Sequence, residues 1–356
     1  MDPHDLVVVT GRRLQRVEEV LDGWFEVAAA RGERFGSHHA HLIENLRRNT
    51  SGGKRFRPRM VLTAFETLGG TDLEVAARVG AAFELLHTAL IVHDDVIDRD
   101  FVRRGQPNVS GSYRDRATTA GISLPLAEHR GMSVAVIAGD LALAGAYRLV
   151  DGCGADELTR GRLIELLDDA VSAAAAGEFA DVDFSMHHAM PTVDEVVEME
   201  RLKTAWYSFE APLQAGAVVA GAGLATIDAL GRFGRNIGIA YQIVDDLLGV
   251  FGEEDVTGKS SIGDLREGKR TVLIAHAATQ PGWRAVARLF GDPGLDGAGA
   301  ARLRDVLVEG GSREFADRLA SDFANRAWEA LAEDSVPAST RDELAPVVRA
   351  VLERTR

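Results

Sequence analysis

The run from Asp72 to Asp98 constrains this chain more than any other. It is apolar almost all round, with Phe83, Leu85, Leu86, Ala89, Leu90, Ile91 and Val92 in its second half. A helix of that composition is stable only when other elements surround it, so the run predicts the central helix of a bundle. It closes on Asp94, Asp95 and Asp98. At 3.6 residues per turn, Asp94 and Asp98 share one face a turn apart. Two carboxylates so placed repel each other unless a cation lies between them. Oxygen ligands on a rigid helix suit a hard ion that also binds phosphate, and Mg²⁺ is the usual case. Taken alone, the cluster also reads as a solvated acidic helix end.

A second carboxylate pair repeats the pattern. The apolar run Ile239-Ala240-Tyr241-Gln242-Ile243-Val244 leads into Asp245-Asp246. Unpaired buried carboxylates are costly, so neither pair is expected in the core. Both helices are expected to present carboxylates to a shared cavity. The basic residues are local too. Gly52-Gly53-Lys54-Arg55-Phe56-Arg57-Pro58 puts three cations in a glycine-led turn before a helix, with Pro58 near its first turn. Arg103-Arg104-Gly105 follows the first aspartates, Lys203-Thr204 lies mid-chain, and Lys259 and Gly268-Lys269-Arg270 follow the second pair. Acidic clusters for metal, with Arg and Lys for phosphate oxygens, point to a diphosphate site bridged by Mg²⁺.

Seven stretches, GGKRFRP, ELLHTALIVHDDVID, RRGQPN, GEFADVDF, KTAWYSFE, YQIVDDLLG and DLREGKRT, run in order from Gly52 to Thr271. In this order the chain resembles the trans-isoprenyl diphosphate synthase (polyprenyl synthetase) family, and bacterial geranylgeranyl diphosphate synthases within it. The resemblance implies one all-α domain over residues 1–356, an isoprenoid-synthase-type helical bundle around a deep cavity, with the motif-bearing core at about 52–271. It implies that an allylic diphosphate ionises, that isopentenyl diphosphate attacks the cation, and that proton loss gives a product one five-carbon unit longer. Fixed positive charge stabilises the leaving diphosphate as its charge develops. Excluding water protects the cation.

The same resemblance assigns roles. Asp94 and Asp98 hold two Mg²⁺ ions with Asp95 in support, and Asp245 holds a third with Asp246 nearby. Arg103, Lys203 and Lys259 contact the allylic diphosphate. Lys54, Arg57, His87 and Arg104 bind isopentenyl diphosphate. Thr204 and Gln242 turn oxygen dipoles toward the reacting carbon, and the departing diphosphate takes the proton. His93, Arg55 and Tyr241 are expected to be structural or solvated, and Lys269 a helix-end cation. Three positions depart from the family pattern. Gly249 stands where many relatives place a third Asp, so one carboxylate is missing. Glu178 stands at a common Gln position, as a water-network group or a tuner of substrate affinity. Tyr241 stands where Phe is common.

In the family that the chain resembles, product length is limited by side chains on the helix before the first aspartates, beside which the growing tail lies. One turn, about 5.4 Å, matches roughly one isoprene unit. Leu90 and Ala89 stand four and five residues before Asp94, and neither is aromatic. A fifteen-carbon stop is disfavoured, and geranylgeranyl diphosphate is the expected product. Leu86, Leu85 and Phe83 are candidates for the floor, and a longer polyprenyl product is the alternative. A terpene cyclase would carry an Asn/Asp-Ser/Thr-Glu motif near Asn236 or Asp245, where an Asp pair stands instead, and would not use Lys54, Arg57 and Arg104. A non-catalytic subunit would lack the aspartates kept here.

Composition sets the remaining bounds. Ala, Leu, Glu and Arg dominate long stretches and favour helix, and Leu6-Val7-Val8-Val9 is the one short strand candidate. Helices are expected over 12–31, 58–68, 72–98, 133–150, 155–180, 193–209, 227–250 and 264–278, with three more after Pro281. Gly105 to Arg130 and Gly282 to Gly299 read as loops. A net charge of −14 argues against nucleic-acid binding. Cys153 is the single cysteine, so no internal disulfide forms, which fits a reducing cytoplasm. No stretch reads as a membrane span and the start lacks a secretory pattern. A homodimer is expected, as is common among relatives.

Overall fold

The computed structural model describes residues 11–186, 189–252 and 262–353. Helices make up nearly all of its regular structure, as expected. The strand candidate at Leu6–Val9 lies outside the described residues. The chain divides into two compact units. Among the described residues, one contains the chain up to Asp168 with Ala215–Ala222, the other Asp169–Gln214 with the chain from Gly223 on.

In the first unit, α1 (Gly11–Phe35), α2 (Ser37–Thr50) and α3 (Phe56–Thr67) precede α4 (Leu73–Ile97). Asp72 caps α4 by accepting from Val75 N at 3.1 Å. Phe83, Leu85, Leu86 and Ala89 are at most 1% exposed. This is the central helix that the apolar run predicted. Its accessible stripe is narrow: His87, Leu90, Ile91 and Asp94 are half-buried, at spacings that put them on one face. α3 stops before Gly69, whose φ of +80° ends the helix.

The segment from Gly105 to Arg130 is not a loop. Val102–Arg103 pairs antiparallel with Gln106–Pro107, as β1 and β2. The connecting Arg104 and Gly105 both have positive φ, +53° and +70°, as a two-residue primed hairpin turn requires. Asn108 then caps α5 (Val109–Thr119), accepting from Gly111 N at 2.8 Å and donating to Asp100 O at 2.9 Å. α6 (Leu124–Asp151) packs along α4. α7 (Glu157–Met186) begins in this unit and ends in the other.

In the second unit, α8 (Val193–Glu200) runs into a π-helix at Arg201–Glu210, and α9 (Ala211–Val219) then begins in this unit and ends in the first. The single helix expected over 193–209 therefore changes its hydrogen-bond register part-way. α10 (Leu224–Phe251) packs along α14 (Ser312–Leu331). The helix expected over 264–278 is split into α11 (Gly263–Glu267) and α12 (Val272–Ala278) by Gly268, at φ +72°. A 3₁₀ turn (Pro281–Ala285) lies in the predicted loop, and α13 (Gly297–Glu309), α14 and α15 (Ala338–Glu353) are the three helices expected after Pro281.

Two helices correct the expectation of no membrane-length stretch. Leu73–Ile97 and Leu124–Asp151 reach mean hydropathies of 1.6 and 1.5 over 18-residue windows. The α4 window is 78% buried inside the fold, so its apolarity is that of a core helix. The α6 window is 44% buried and leaves Leu124, Leu126, Val136 and Ile137 exposed.

Arg55 is a second correction. It is not a solvated neighbour but 6% exposed. It caps α3 in a left-handed conformation, φ +51°. Its guanidinium donates to Thr50 O at 2.7 Å, Glu84 Oε1 at 2.8 Å and Glu18 Oε2 at 2.9 Å. Burial alone would lower its pKa, but Glu18 and Glu84 raise it. The other Glu84 oxygen is buried without a hydrogen-bond partner, so this ion pair has little slack. Arg55→Ala leaves Glu84 charged and uncompensated inside the fold. It is expected to cost ~3–5 kcal/mol of unfolding free energy, read from the urea midpoint, whereas a solvated arginine would cost almost nothing.

Candidate active site

Three carboxylates crowd the C-terminal end of α4. Asp94 lies in its last turn and Asp98 is its C-cap, donating its backbone N–H to Asp94 O at 2.9 Å. Against the expectation that neither aspartate pair lies in the core, Asp95 points inward at 3% exposed and Asp246 of the second pair is 2% exposed, each admitted there by a basic partner, Arg103 and Lys269. Burial raises the Asp95 carboxyl above its ordinary value, opposed by Arg103. Arg103 Nε donates to Asp95 Oδ1 at 2.8 Å, and Nη2 reaches Asp94 Oδ2 at 3.4 Å. The hairpin thus folds one arginine back onto the aspartates. The helix has no basic residue in its last turn.

A cavity of about 410 Å³ opens beside this end of α4. His87, Arg103, Arg104, Arg48 and Ser112 are among its walls. Lys54 and Arg57 do not line it but lie close: Arg104 Nη1 would be 3.2 Å from a Cβ on Gly53, and the charge of Arg57 acts on His87. Gly53 and Gly52 have φ of +84° and +77°, which lets the chain turn tightly under Arg104. Burial first, then Arg57, Arg103, Arg104 and Arg55, push the His87 pKa far below its ordinary value. His87 is therefore a neutral hydrogen-bonding group among cations. Arg48 and Ser112 were not singled out in the sequence, since neither lies in a motif. His93 is held by Val136 O at 3.3 Å, a structural contact as expected.

Of the chain-length candidates, Leu85, Leu86 and Ala89 are buried in the packing of α4. Leu90 shares the accessible stripe with Asp94, one turn away.

In the other unit a π-helix organises a second group of motif residues. A wider backbone at Arg201–Glu210 carries Lys203 and Thr204, and such insertions are frequent at functional sites. Two neighbours approach it closely. A Cβ on Gly177 of α7 would lie 2.7 Å from Lys203 Cα, and one on Gly238 of α10 would lie 2.8 Å from Ala205 Cα. The first approach brings Asp181 Oδ2 to 2.6 Å and Glu178 Oε2 to 3.0 Å from Lys203 Nζ. Glu178 thus pairs with Lys203. The second approach carries Gln242, Asp245 and Asp246 along the same side. Asp246 is 2% exposed and accepts from Lys269 Nζ at 2.8 Å and Gln242 Nε2 at 3.0 Å. Lys269 is more than a helix-end cation: burial would lower its pKa, but Asp246, Asp264 and Asp245 raise it, so it stays charged. Tyr241 packs on Phe209, with ring centroids 5.5 Å apart. Lys259 lies outside the described residues.

Glu200 was missed. It is 2% exposed, and its carboxyl lies within hydrogen-bonding reach of Asp246. Burial first, then Asp246, raise its pKa well above the ordinary value, so it is held protonated beside Asp246. A signal for it exists: Val193, Val196, Val197 and Glu200 follow core spacing on one helix.

Among the described residues no group of three or more His, Cys, Asp or Glu side chains could by itself hold a metal. Mg²⁺ fits this donor chemistry, because it is commonly bound by one or two carboxylates with substrate phosphates and water completing the shell. A closed protein-only site would suit zinc or calcium better.

A polyprenyl synthetase family model matches residues 39–291. The chain is 32% identical over 329 residues to a geranylfarnesyl diphosphate synthase of Aeropyrum pernix, covering 91% of this chain and 95% of that one. It is 33% identical to a short chain isoprenyl diphosphate synthase of Methanothermobacter thermautotrophicus, with 88% of each covered. A crystal structure of geranylgeranyl pyrophosphate synthase from Corynebacterium glutamicum, complexed with isoprenyl diphosphate and magnesium, superposes with a TM-score of 0.89 at 28% identity, covering 98% of this chain and 100% of that one.

The protonated state of Glu200 gives a pH dependence of known sign. A carboxyl with a raised pKa in the fold favours folding below its unfolded value, and that contribution is lost as pH rises through the folded value. Glu200→Gln removes this loss. In metal-free thermal unfolding the variant is expected to gain Tm relative to the parent as the buffer is moved from weakly acidic to neutral and alkaline pH. Parallel Tm curves for the two proteins would show that Glu200 is not held protonated.

Proposed function

The chain belongs to the polyprenyl synthetase family and is a trans-prenyltransferase, and from that premise we propose that it condenses isopentenyl diphosphate with an allylic diphosphate to give geranylgeranyl diphosphate. The observation that carries this reading is the accessible stripe of α4. It ends in Asp94 and Asp98, passes a cavity walled by His87, Arg103 and Arg104, and continues to a leucine instead of an aromatic side chain.

Asp94 and Asp98 hold two Mg²⁺ ions and Asp245 a third. When bound, the metal supplies positive charge that stabilises the leaving diphosphate. Asp95 and Asp246 act from behind: Asp95 anchors Arg103, and Asp246 anchors Lys269 and Gln242. Arg103, Lys203 and Lys259 bind the allylic diphosphate, and their fixed charges need no reorganisation as the bond breaks. Lys54, Arg57 and Arg104 hold isopentenyl diphosphate, with His87 giving a neutral hydrogen bond. Gln242 donates its NH₂ to Asp246, which leaves its carbonyl oxygen, with Thr204, for the developing allylic cation. The released diphosphate accepts the proton lost from the new chain.

Leu90 stands one turn before Asp94 and leaves room for the tail. A longer polyprenyl product is the second reading, favoured by the same leucine and by the relative named for geranylfarnesyl diphosphate. The protein acts as a homodimer, and the exposed Leu124, Leu126, Val136 and Ile137 of α6 give an apolar face for a second copy.

The test is turnover of the purified chain with Mg²⁺, isopentenyl diphosphate and each of dimethylallyl, geranyl and farnesyl diphosphate, with the products dephosphorylated and sized by mass spectrometry. A twenty-carbon alcohol is expected. A longer ladder would favour the second reading. Hydrocarbon formed without isopentenyl diphosphate would contradict both. In the same assay Leu90→Phe is expected to shorten the product, since the ring enters the accessible stripe. Ala89→Phe would instead overpack a fully buried position and cost ~1–3 kcal/mol of stability.

A further inference from the structure

Three arginines converge on one tyrosine at the rim of the cavity in the first unit. Tyr113 of α5 is 8% exposed, and Arg116 follows it by three residues, on the same helix face. Arg130, in the second turn of α6, places its Cζ 6.0 Å from the Tyr113 ring centroid. Gly131 permits this approach, since a Cβ there would lie 2.3 Å from Ser110 O of α5. Arg48 joins the group from α2. Burial raises the Tyr113 pKa above its ordinary value against the pull of Arg116, Arg130 and Arg48, so all three charges act on one hydroxyl.

Solvated arginines on helix faces are common, but this group lacks what its chain neighbours have. Arg47 reaches Asp22 at 2.5 Å, and Arg114 reaches Asp115 at 2.8 Å. Among the described residues no ion pair involves Arg48, Arg116 or Arg130. Like charges gathered without a counter-charge repel, so folding stability gives no reason for the arrangement. The group is also continuous with the cavity. Arg48 and Ser112, the residue before Tyr113, are among the cavity walls with His87, Arg103 and Arg104, while Arg116 and Arg130 stand outside them. A basic path thus leads inward on a chain whose net charge of −14 repels anions at long range.

We propose that Arg48, Arg116 and Arg130 form an entry patch that draws the diphosphate of isopentenyl diphosphate to the cavity mouth. A cleft rimmed by one sign of charge raises the local concentration and the capture rate of the opposite ion, and salt screens the effect. This rests on the reading of the cavity as the isopentenyl diphosphate site, and adds to it two residues, Arg116 and Arg130, that act before the substrate is seated. They act through charge, so the forked guanidinium geometry is not required of them.

Capture is read as kcat/KM for isopentenyl diphosphate, at saturating allylic diphosphate and Mg²⁺, over a range of added salt. The proteins are the parent, Arg116→Gln with Arg130→Gln, Arg116→Lys with Arg130→Lys, and Arg302→Gln with Arg349→Gln, which removes the same charge from exposed positions of the other unit. At low salt the glutamine pair at the rim is expected to lose about fivefold in kcat/KM with kcat unchanged. The loss should vanish near about 0.5 M salt, where charges are screened within a few ångströms. The lysine pair and the Arg302, Arg349 variant should match the parent. Unchanged kcat/KM in the rim glutamine pair at low salt, a loss that persists at high salt, an equal loss in the lysine pair, or an equal loss in the Arg302, Arg349 variant would each overturn the proposal and leave the synthase reading standing. A parent chain that consumes no isopentenyl diphosphate would overturn that reading, and this proposal with it.

Discussion

Negative charge at the wrong end of a buried helix is the constraint on which the site depends. The C-terminus of α4 carries the negative pole of its backbone dipole, and Asp94, Asp95 and Asp98 add carboxylates there with no basic side chain in the last turn. Each such placement costs roughly 0.3–1 kcal/mol when exposed, and more when the group is buried as Asp95 is. The fold answers part of this with Arg103, which a two-residue hairpin turn folds back onto Asp95. The remaining field is what a divalent cation with its diphosphate would neutralise. The core of α4 can carry this strain because its apolar surface is so completely covered.

The basic side of the same unit is built from strained backbone. Arg55 and Arg104 both sit at positive φ, a conformation that side chains with a Cβ rarely adopt. Arg55 is held there by Glu18, Glu84 and Thr50 O, and that buried anchor fixes the turn carrying Lys54 and Arg57. Arg104 is held by the hairpin and leans over Gly53. The cations of this turn and hairpin thus stand on a scaffold of charged groups that pair with each other. The other unit repeats the logic: Gly177 and Gly238 bring α7 and α10 close against the π-helix, where Lys203 pairs with Asp181.

The sequence made α4 legible to within a residue, because an apolar run bounded by a capping Asp72 and a cluster of carboxylates has one physical solution. The ends of α3 and the split of the chain after Pro281 into three helices were legible for the same reason, through glycine stops and helical spacing. α2 was not legible, since its polar run SHHAHLIENLRRNT carries a weak apolar stripe. The hairpin was hidden because two residues per strand leave no alternation to detect. The π-helix was hidden because its signal is hydrogen-bond register, not composition. Arg55, Lys269 and Glu200 owe their environments to burial and to chain segments that meet only in three dimensions.

On the proposed function, the α4 carboxylates hold a cation that arrives with diphosphate. The most direct test is thermal unfolding of the parent chain and Asp94→Asn, each alone, with Mg²⁺, with a non-ionisable allylic thiodiphosphate, and with both. Ligand that binds only the folded state raises Tm in proportion to its occupancy. A rise of several degrees is expected in the parent only when metal and diphosphate are present together, and little or none in Asp94→Asn. A full rise with the diphosphate alone, or an equal rise in Asp94→Asn, would contradict it.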